Sequence, residues 1–174
     1  MKKSKIMIVI LIMIVITILA VLCICSPTAE NKTFSDGEMS FNYPGYFDTH
    51  PIELNSSQMQ AVTYFTSDNL LNKQYIDLSK NKTTITSDEL RDSGVSSIKN
   101  LSTAKILSIT TETNSNGIVI DKVIFLDEKY GDQTIHNLMY FKINDTVYGL
   151  GVYGPYSNRD RITDTSNAIF QSLK

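Results

Sequence analysis

The chain has 174 residues, of which 42% are hydrophobic and 20% are charged. Residues 1–25 contain three lysines and no acidic side chain, so the remaining 149 residues carry 13 basic and 18 acidic groups and a net charge of −5. That length fits one domain with a sizeable core, and the acidic balance argues against a nucleic-acid partner, which needs a basic stripe. Both cysteines, Cys23 and Cys25, precede this domain, which therefore has no disulfide, thiolate metal site or thiol nucleophile.

The N-terminal segment has the pattern of a membrane anchor. Lys2, Lys3 and Lys5 precede an uncharged run over residues 6–25, which as a helix spans roughly 30 Å, the thickness of the bilayer core. We predict a cytoplasmic basic stub (1–5), a transmembrane signal anchor (6–25) and a C-terminal domain outside the cell membrane. The alternatives are a cleaved or lipidated signal segment and a pilin-type leader cut after Ser4.

Turn signals divide the rest of the chain into short elements. Residues 26–35 are polar and predict a tether, followed by an extracytoplasmic domain over 36–174. Alternation predicts strands over 38–43, with Met39, Phe41 and Tyr43 on one face, and over 60–66 and 74–78. A helix is predicted over 86–101, because Thr86 and Glu89 form a capping box; the apolar face of this helix consists of Leu90, Ile98 and Leu101.

Four further strands are predicted over 104–113, 118–126, 133–143 and 146–153, as an antiparallel meander whose first turn is Asn116-Gly117. They are apolar on both faces, which indicates that both faces of the sheet are covered. A closing helix over 158–173, capped by Ser157 or Asn158, has an apolar stripe that consists of Ile162, Ser166, Ile169, Phe170 and Leu173. We expect Gly149 and Gly151 to let this helix approach the last strand closely.

The order of these elements resembles the PsbP/Mog1-like domain superfamily. The likeness rests on the early strand that ends at Tyr43-Pro44, the central helix, the meander and the closing helix with Ala168-Ile169-Phe170-Gln171-Ser172-Leu173. It implies an α+β fold in which an antiparallel sheet is covered by helices on both faces, an α/β/α sandwich. Prokaryotic members of that superfamily include membrane-anchored proteins, and members act as assembly or accessory factors more often than as enzymes. No catalytic residues are shared, so the resemblance implies none here.

The motifs that suggest chemistry have plainer structural interpretations. Residues 149–154 match GxGxxG, but the glycines lie within a predicted strand and Pro155 follows, which does not fit a dinucleotide loop. His50 and His136 stand 86 residues apart without a metal-ligand motif and are expected to be packed or half-exposed. The acids around residues 127–132 suit a solvated turn. We therefore expect no catalytic residue, no cofactor and no metal.

Two aromatic loops and five sequons are the candidate sites. The loops 43–47 and 153–156 can form binding surfaces or simply pack; the residues concerned are Tyr43, Tyr46, Phe47, Tyr153 and Tyr156. N-x-Ser/Thr sequons, which would carry sugar in an N-glycosylating organism, begin at Asn31, Asn55, Asn81, Asn100 and Asn144.

Together these features predict a single-pass membrane protein whose external domain binds or assembles rather than catalyses. The partner would be an unknown protein or surface ligand, and nucleic acid is excluded by charge. The first alternative is a cell-surface ligand- or wall-binding module that uses the aromatic loops. The second is a hydrolase whose nucleophile the sequence does not reveal. The absence of a Gly-x-Ser-x-Gly elbow argues against one common type of hydrolase.

Overall fold

The computed structural model describes residues 30–52, 59–67, 73–81, 84–129 and 131–174. The predicted anchor (6–25) and the sequon Asn55 lie outside these ranges. Within them, no helix combines the length and the apolar character needed to cross a membrane.

The domain is built on a seven-stranded antiparallel sheet in the order β3-β4-β5-β9-β8-β7-β6, beside a two-stranded sheet of β1 and β2. Helices α1 and α2 lie on opposite faces of the large sheet, which confirms the predicted α+β sandwich. The elements are β1 (Lys32–Ser35), β2 (Ser40–Tyr43), β3 (Asp48–Pro51), β4 (Met59–Ser67), β5 (Gln74–Asn81), α1 (Ser87–Lys99), β6 (Ala104–Thr113), β7 (Val119–Lys129), β8 (Asp132–Ile143), β9 (Thr146–Pro155), a 3-10 turn (Tyr156–Asn158) and α2 (Arg159–Ser172).

Helix α2 docks on the sheet through the predicted stripe. Ile162, Ile169 and Leu173 are fully buried and Phe170 is 5% exposed, because they pack against the core that β2, β5, β8 and β9 share. The Lys122 ammonium lies 3.6 Å from the centre of the Phe170 ring, a cation–π contact at the rim of this core.

The end of α2 is held by the turn between β6 and β7. Asn114 is 6% exposed, and its Nδ2 donates to the carbonyls of Phe170 at 3.0 Å and Leu173 at 2.8 Å. Its Oδ1 accepts from the backbone amides of Asn116 and Ile118. One buried side chain therefore shapes the turn and satisfies carbonyls that a helix end leaves without partners.

Helix α1 covers the other face over β6, β7 and β8. The Thr86–Glu89 capping box is present, and Val95 and Ile98 are buried against Val123 and Tyr140. Leu101 is 49% exposed, so its predicted core position is wrong: α1 ends at Lys99, and the chain then turns away from the helix axis.

Three further details correct the sequence interpretation. Gly149 and Gly151 do not face α2, because a Cβ added to them would meet side chains of the opposite face, Tyr140 and Asp77; the glycine beneath α2 is Gly154, whose added Cβ would lie 3.2 Å from Ile162. Asn158 is the N-cap residue of α2, but its side chain makes no capping hydrogen bond. Strand β1 occupies the last part of the segment interpreted as a tether, where Phe34 packs against the core.

Phe170→Ala should lower the free energy of unfolding by roughly 3–5 kcal/mol, the range for a large buried aromatic residue. Gln171→Ala, at the adjacent exposed position, should cost less than about 0.5 kcal/mol. Urea melts of the two variants measure the difference. Equal, small losses would show that α2 is not docked on the sheet.

Gly94→Ala in α1 should destabilise the domain by about 1–3 kcal/mol, although alanine favours a helix. The reason is that the new Cβ would collide with the Tyr140 hydroxyl, which is packed under the helix. Ser93→Ala, one position earlier and exposed, is the control and should be nearly neutral. Adding Tyr140→Phe to Gly94→Ala should recover part of the loss in urea melts, and no recovery would refute the steric explanation.

Candidate binding surface

The side of the sheet that carries α1 is only partly covered. Helix α1 packs over β6, β7 and β8, and no second described helix packs on this side, since α2 lies opposite. We call the part beyond α1 the open face. Its side chains come from alternate positions of β4, β5, β9 and β8, because successive residues of a strand point to opposite faces.

A row of stacked rings crosses the open face and ends beneath α1, with one ring from each of five adjacent strands. Tyr75 lies 5.9 Å from Tyr64 on β4 and 5.3 Å from Tyr153 on β9, measured between ring centres. His136 on β8 then lies 5.1 Å from Tyr153 and 4.4 Å from Phe125 on β7. The planes of these four pairs differ by 28° or less.

The stacking determines what the row can contact. Neighbouring rings cover one another's faces, so the row offers ring edges, tyrosine hydroxyls and the imidazole nitrogens. A platform for stacking sugar rings needs a free aromatic face, which the interior of this row lacks. Edges and hydroxyls of tyrosine are the contacts typical of protein interfaces.

Asp77 stands beside the row and has no ion-pair partner among the residues that the structure describes. It pairs in register with Tyr64 on β4 and with Gly151 on β9, and the missing side chain of Gly151 leaves the space that its carboxylate fills. Asp77 is exposed on its solvent side, yet the protein atoms crowded around it displace water and raise its pKa to about 6. The exposure limits the energetic cost of this charge, but the carboxylate remains poorly solvated.

A groove of about 810 Å³ lies at the end of the row where β9 leads into the 3-10 turn. His136 and Asp127 both line it. Burial lowers the pKa of His136, and the nearby Asp127 charge opposes this shift. One Asp127 oxygen, Oδ1, is buried and has no hydrogen-bond partner within the described ranges.

The two histidines occupy different settings on the sheet. His136 is clamped between Phe125 and Tyr153 and makes no hydrogen bond to Asp127. His50 is exposed on the edge strand β3, where its Nε2 lies 3.1 Å from Thr66 Oγ1. Within the described ranges, no three His, Cys, Asp or Glu side chains are grouped to hold a metal ion.

The structure separates the predicted aromatic loop residues. Tyr43 and Phe47 are buried in the core on the α2 side; there the Tyr46 hydroxyl accepts a hydrogen bond from Gln74. Tyr156 packs against the same core, and Arg159 lies over its ring. Tyr153 joins the ring row on the open face.

The described sequons occupy different settings. Asn31, Asn100 and Asn144 are exposed, while Asn81 is half-buried at the end of β5. Asn144 has a positive φ of 52° in the turn between β8 and β9.

Sequence reasoning missed Tyr64, Tyr75 and Asp77. The available signal was the strand parity: Tyr75 and Asp77 alternate with buried Ile76 and Leu78, so they had to point away from the core. Their closeness to Tyr153 required the strand order, in which β9 inserts beside β5.

Comparisons with known proteins identify the fold. No protein-family model matches the chain, and no curated protein matches it in sequence. The structure is similar to the solution structure of cyanobacterial PsbP (CyanoP) from Synechocystis sp. PCC 6803, with a TM-score of 0.59 and 12% identity over 86% of this chain and 95% of CyanoP. It is also similar to LpqN, involved in cell envelope biogenesis of Mycobacterium tuberculosis, with a TM-score of 0.52 and 11% identity over 83% of this chain and 90% of LpqN.

The chain therefore has a PsbP-like fold. This confirms the fold that the order of elements implied. At these identities the likeness shows the fold alone; the membrane anchor stays a prediction.

Asp77→Asn should raise the urea midpoint at pH 7.5, because it removes a charge that the fold solvates poorly. The folded pKa, about 6, lies above the ordinary value of 3.8, so the folded wild type takes up a proton that the unfolded chain does not. The contribution of Asp77 to the free energy of unfolding of the wild type therefore increases as the pH falls from 7 towards 4. The difference in stability between Asp77→Asn and the wild type should shrink over that range. The control Asp164→Asn, exposed on α2, should show no such trend, and a pH-independent difference for Asp77→Asn would contradict the assignment.

Proposed function

We propose that this protein is a membrane-anchored accessory factor whose extracytoplasmic domain binds a partner through the open face and does not catalyse a reaction. The observation that carries the proposal is the ring row. Tyr64, Tyr75, Tyr153 and His136 lie on a sheet face that no described helix covers, whereas the equivalent surface over β7 is buried under α1. The side chains of these four residues are half-buried, and tyrosine-rich faces of this kind suit protein recognition.

The N-terminal sequence supports the location. Three lysines followed by twenty uncharged residues orient a segment with its start in the cytoplasm. LpqN, one of the similar structures, is described as involved in cell envelope biogenesis. An assembly or accessory role at the envelope fits both observations.

The groove at the end of the row fits binding better than hydrolysis. A general base needs a second group that orients it by a hydrogen bond, and Asp127 does not bond to His136. We therefore assign the groove to the binding surface and not to a catalytic site.

The location is tested with intact cells. The chain should remain in the membrane fraction after a carbonate wash, and added protease should digest its C-terminal domain without breaking the cells. Release of a soluble form of about 149 residues would show that the N-terminal segment is cleaved. Protection from external protease would refute the extracytoplasmic placement.

The binding role is tested by site-specific photocrosslinking in native membranes. A benzoylphenylalanine at Tyr75, on the open face, should give a discrete protein adduct. The same group at Asn167, exposed on α2, is the matched control and should give none. Adducts only with wall polysaccharide would favour the wall-binding alternative, and identical patterns at both positions would refute a specific open-face partner.

A further inference from the structure

We infer that the partner presents a lysine or arginine side chain to Asp77, so that the open face recognises a basic protein surface through one central ion pair. The inference deepens the proposed function and rests on it. Its basis is that Asp77, in register between Tyr64 and Gly151 on the open face, has no ion-pair partner within the described ranges.

Several other carboxylates of the domain have a cation beside them. Asp121 pairs with Arg91 at 3.0 Å, Glu112 with Lys122 at 2.9 Å, and Asp36 with Lys80 at 2.6 Å. Asp77 takes part in no ion pair within the described ranges; only backbone amides, its own and that of Gly151, stabilise its charge. A carboxylate that is crowded by rings but unpaired is unfavourable, and an incoming cation would compensate it.

The groups around Asp77 suit an organic cation. Tyr64, Tyr75 and Tyr153 belong to the ring row; burial raises the pKa of Tyr153, and the nearby Asp77 charge adds to this shift. Among the described residues, no lysine or arginine forms an ion pair with Asp77. Tyrosine rings and hydroxyls can contact the aliphatic stem and the polar head of a basic side chain while the carboxylate neutralises its charge.

The groups around Asp77 favour a cationic side chain of a protein over a metal ion. Asp77 is a lone carboxylate, and no His, Cys or Glu among the described residues joins it in a metal-binding group, whereas divalent cations need several charged ligands. The long-range field favours the same partner, because the domain carries a net charge of −5 and attracts basic surfaces. Tyrosine and arginine are also the residues that dominate the energetics of interfaces.

The test uses the purified full chain in detergent micelles and N-acetyl-arginine amide as the probe. Tyrosine emission can be followed directly, because the chain has no tryptophan. We expect a saturable change at pH 7.5, and at least tenfold weaker binding both for the uncharged N-acetyl-citrulline amide and for the variant Asp77→Asn. The control Asp164→Asn should bind as the wild type does.

The pH dependence gives a second readout. Because the Asp77 carboxyl has a pKa of about 6, about one molecule in ten keeps it ionised at pH 5, and the apparent affinity for the arginine probe should fall about tenfold. Unchanged binding by Asp77→Asn, or equal binding of arginine and citrulline amides, would overturn the inference. Photocrosslinking at Tyr75 separates the two proposals: an adduct that persists undiminished in Asp77→Asn overturns the ion pair and leaves the open-face function standing.

Discussion

The side chain of Asn114 links the turn between β6 and β7 to the C-terminal end of α2. It is buried, and it makes two hydrogen bonds into its own turn and two into the last carbonyls of α2. The Asn116 side chain donates a second hydrogen bond to the Leu173 carbonyl, and Gly117, with a φ of 81°, lets the turn close. Immediately beyond, Lys174 exchanges two backbone hydrogen bonds with Ser40. The β6–β7 turn thereby fixes where α2 ends and how β2 is held against the core.

This constraint determines which face of the sheet is available. Once α2 is held by its end, its stripe covers β8, β9 and β2 on one side. The single helix left for the other side, α1, is anchored over β6–β8 because Gly94 admits Tyr140 beneath it. Strands β4 and β5 are therefore left with tyrosines and an aspartate where a helix would need apolar side chains.

Most of the fold could be predicted because it is encoded by local periodicity. Strand alternation around Met39 and Phe41, the Thr86–Glu89 box and the stripe of α2 all depend on neighbours in sequence. Strands β1 and β3 were missed, since each has four residues with little buried area. The role of Gly149 and Gly151 was misassigned because parity alone does not say which face receives which helix; the structure places α2 over the face that carries Gly154.

Most of the candidate binding surface could not be predicted from the sequence, because only the pairing of strands that are distant in sequence brings its residues together. Tyr75 and Tyr153 are 78 positions apart, yet they are direct partners in the β5–β9 register. Aromatic content alone left packing and binding both open for the loop 43–47, where Tyr43 and Phe47 fill the core. Only Tyr153 belongs to both the predicted loops and the observed ring row.

The ring row also reports on the register of the strands. Each of five strands contributes one ring, and a slip of one residue in any strand would turn its ring to the opposite face. Stacked rings at 4.4–5.9 Å couple their electronic transitions, so the near-ultraviolet circular dichroism of the domain should contain a signal that exists only when all five strands are in register. A folded-looking but misaligned sheet would keep its far-ultraviolet spectrum and lose that signal.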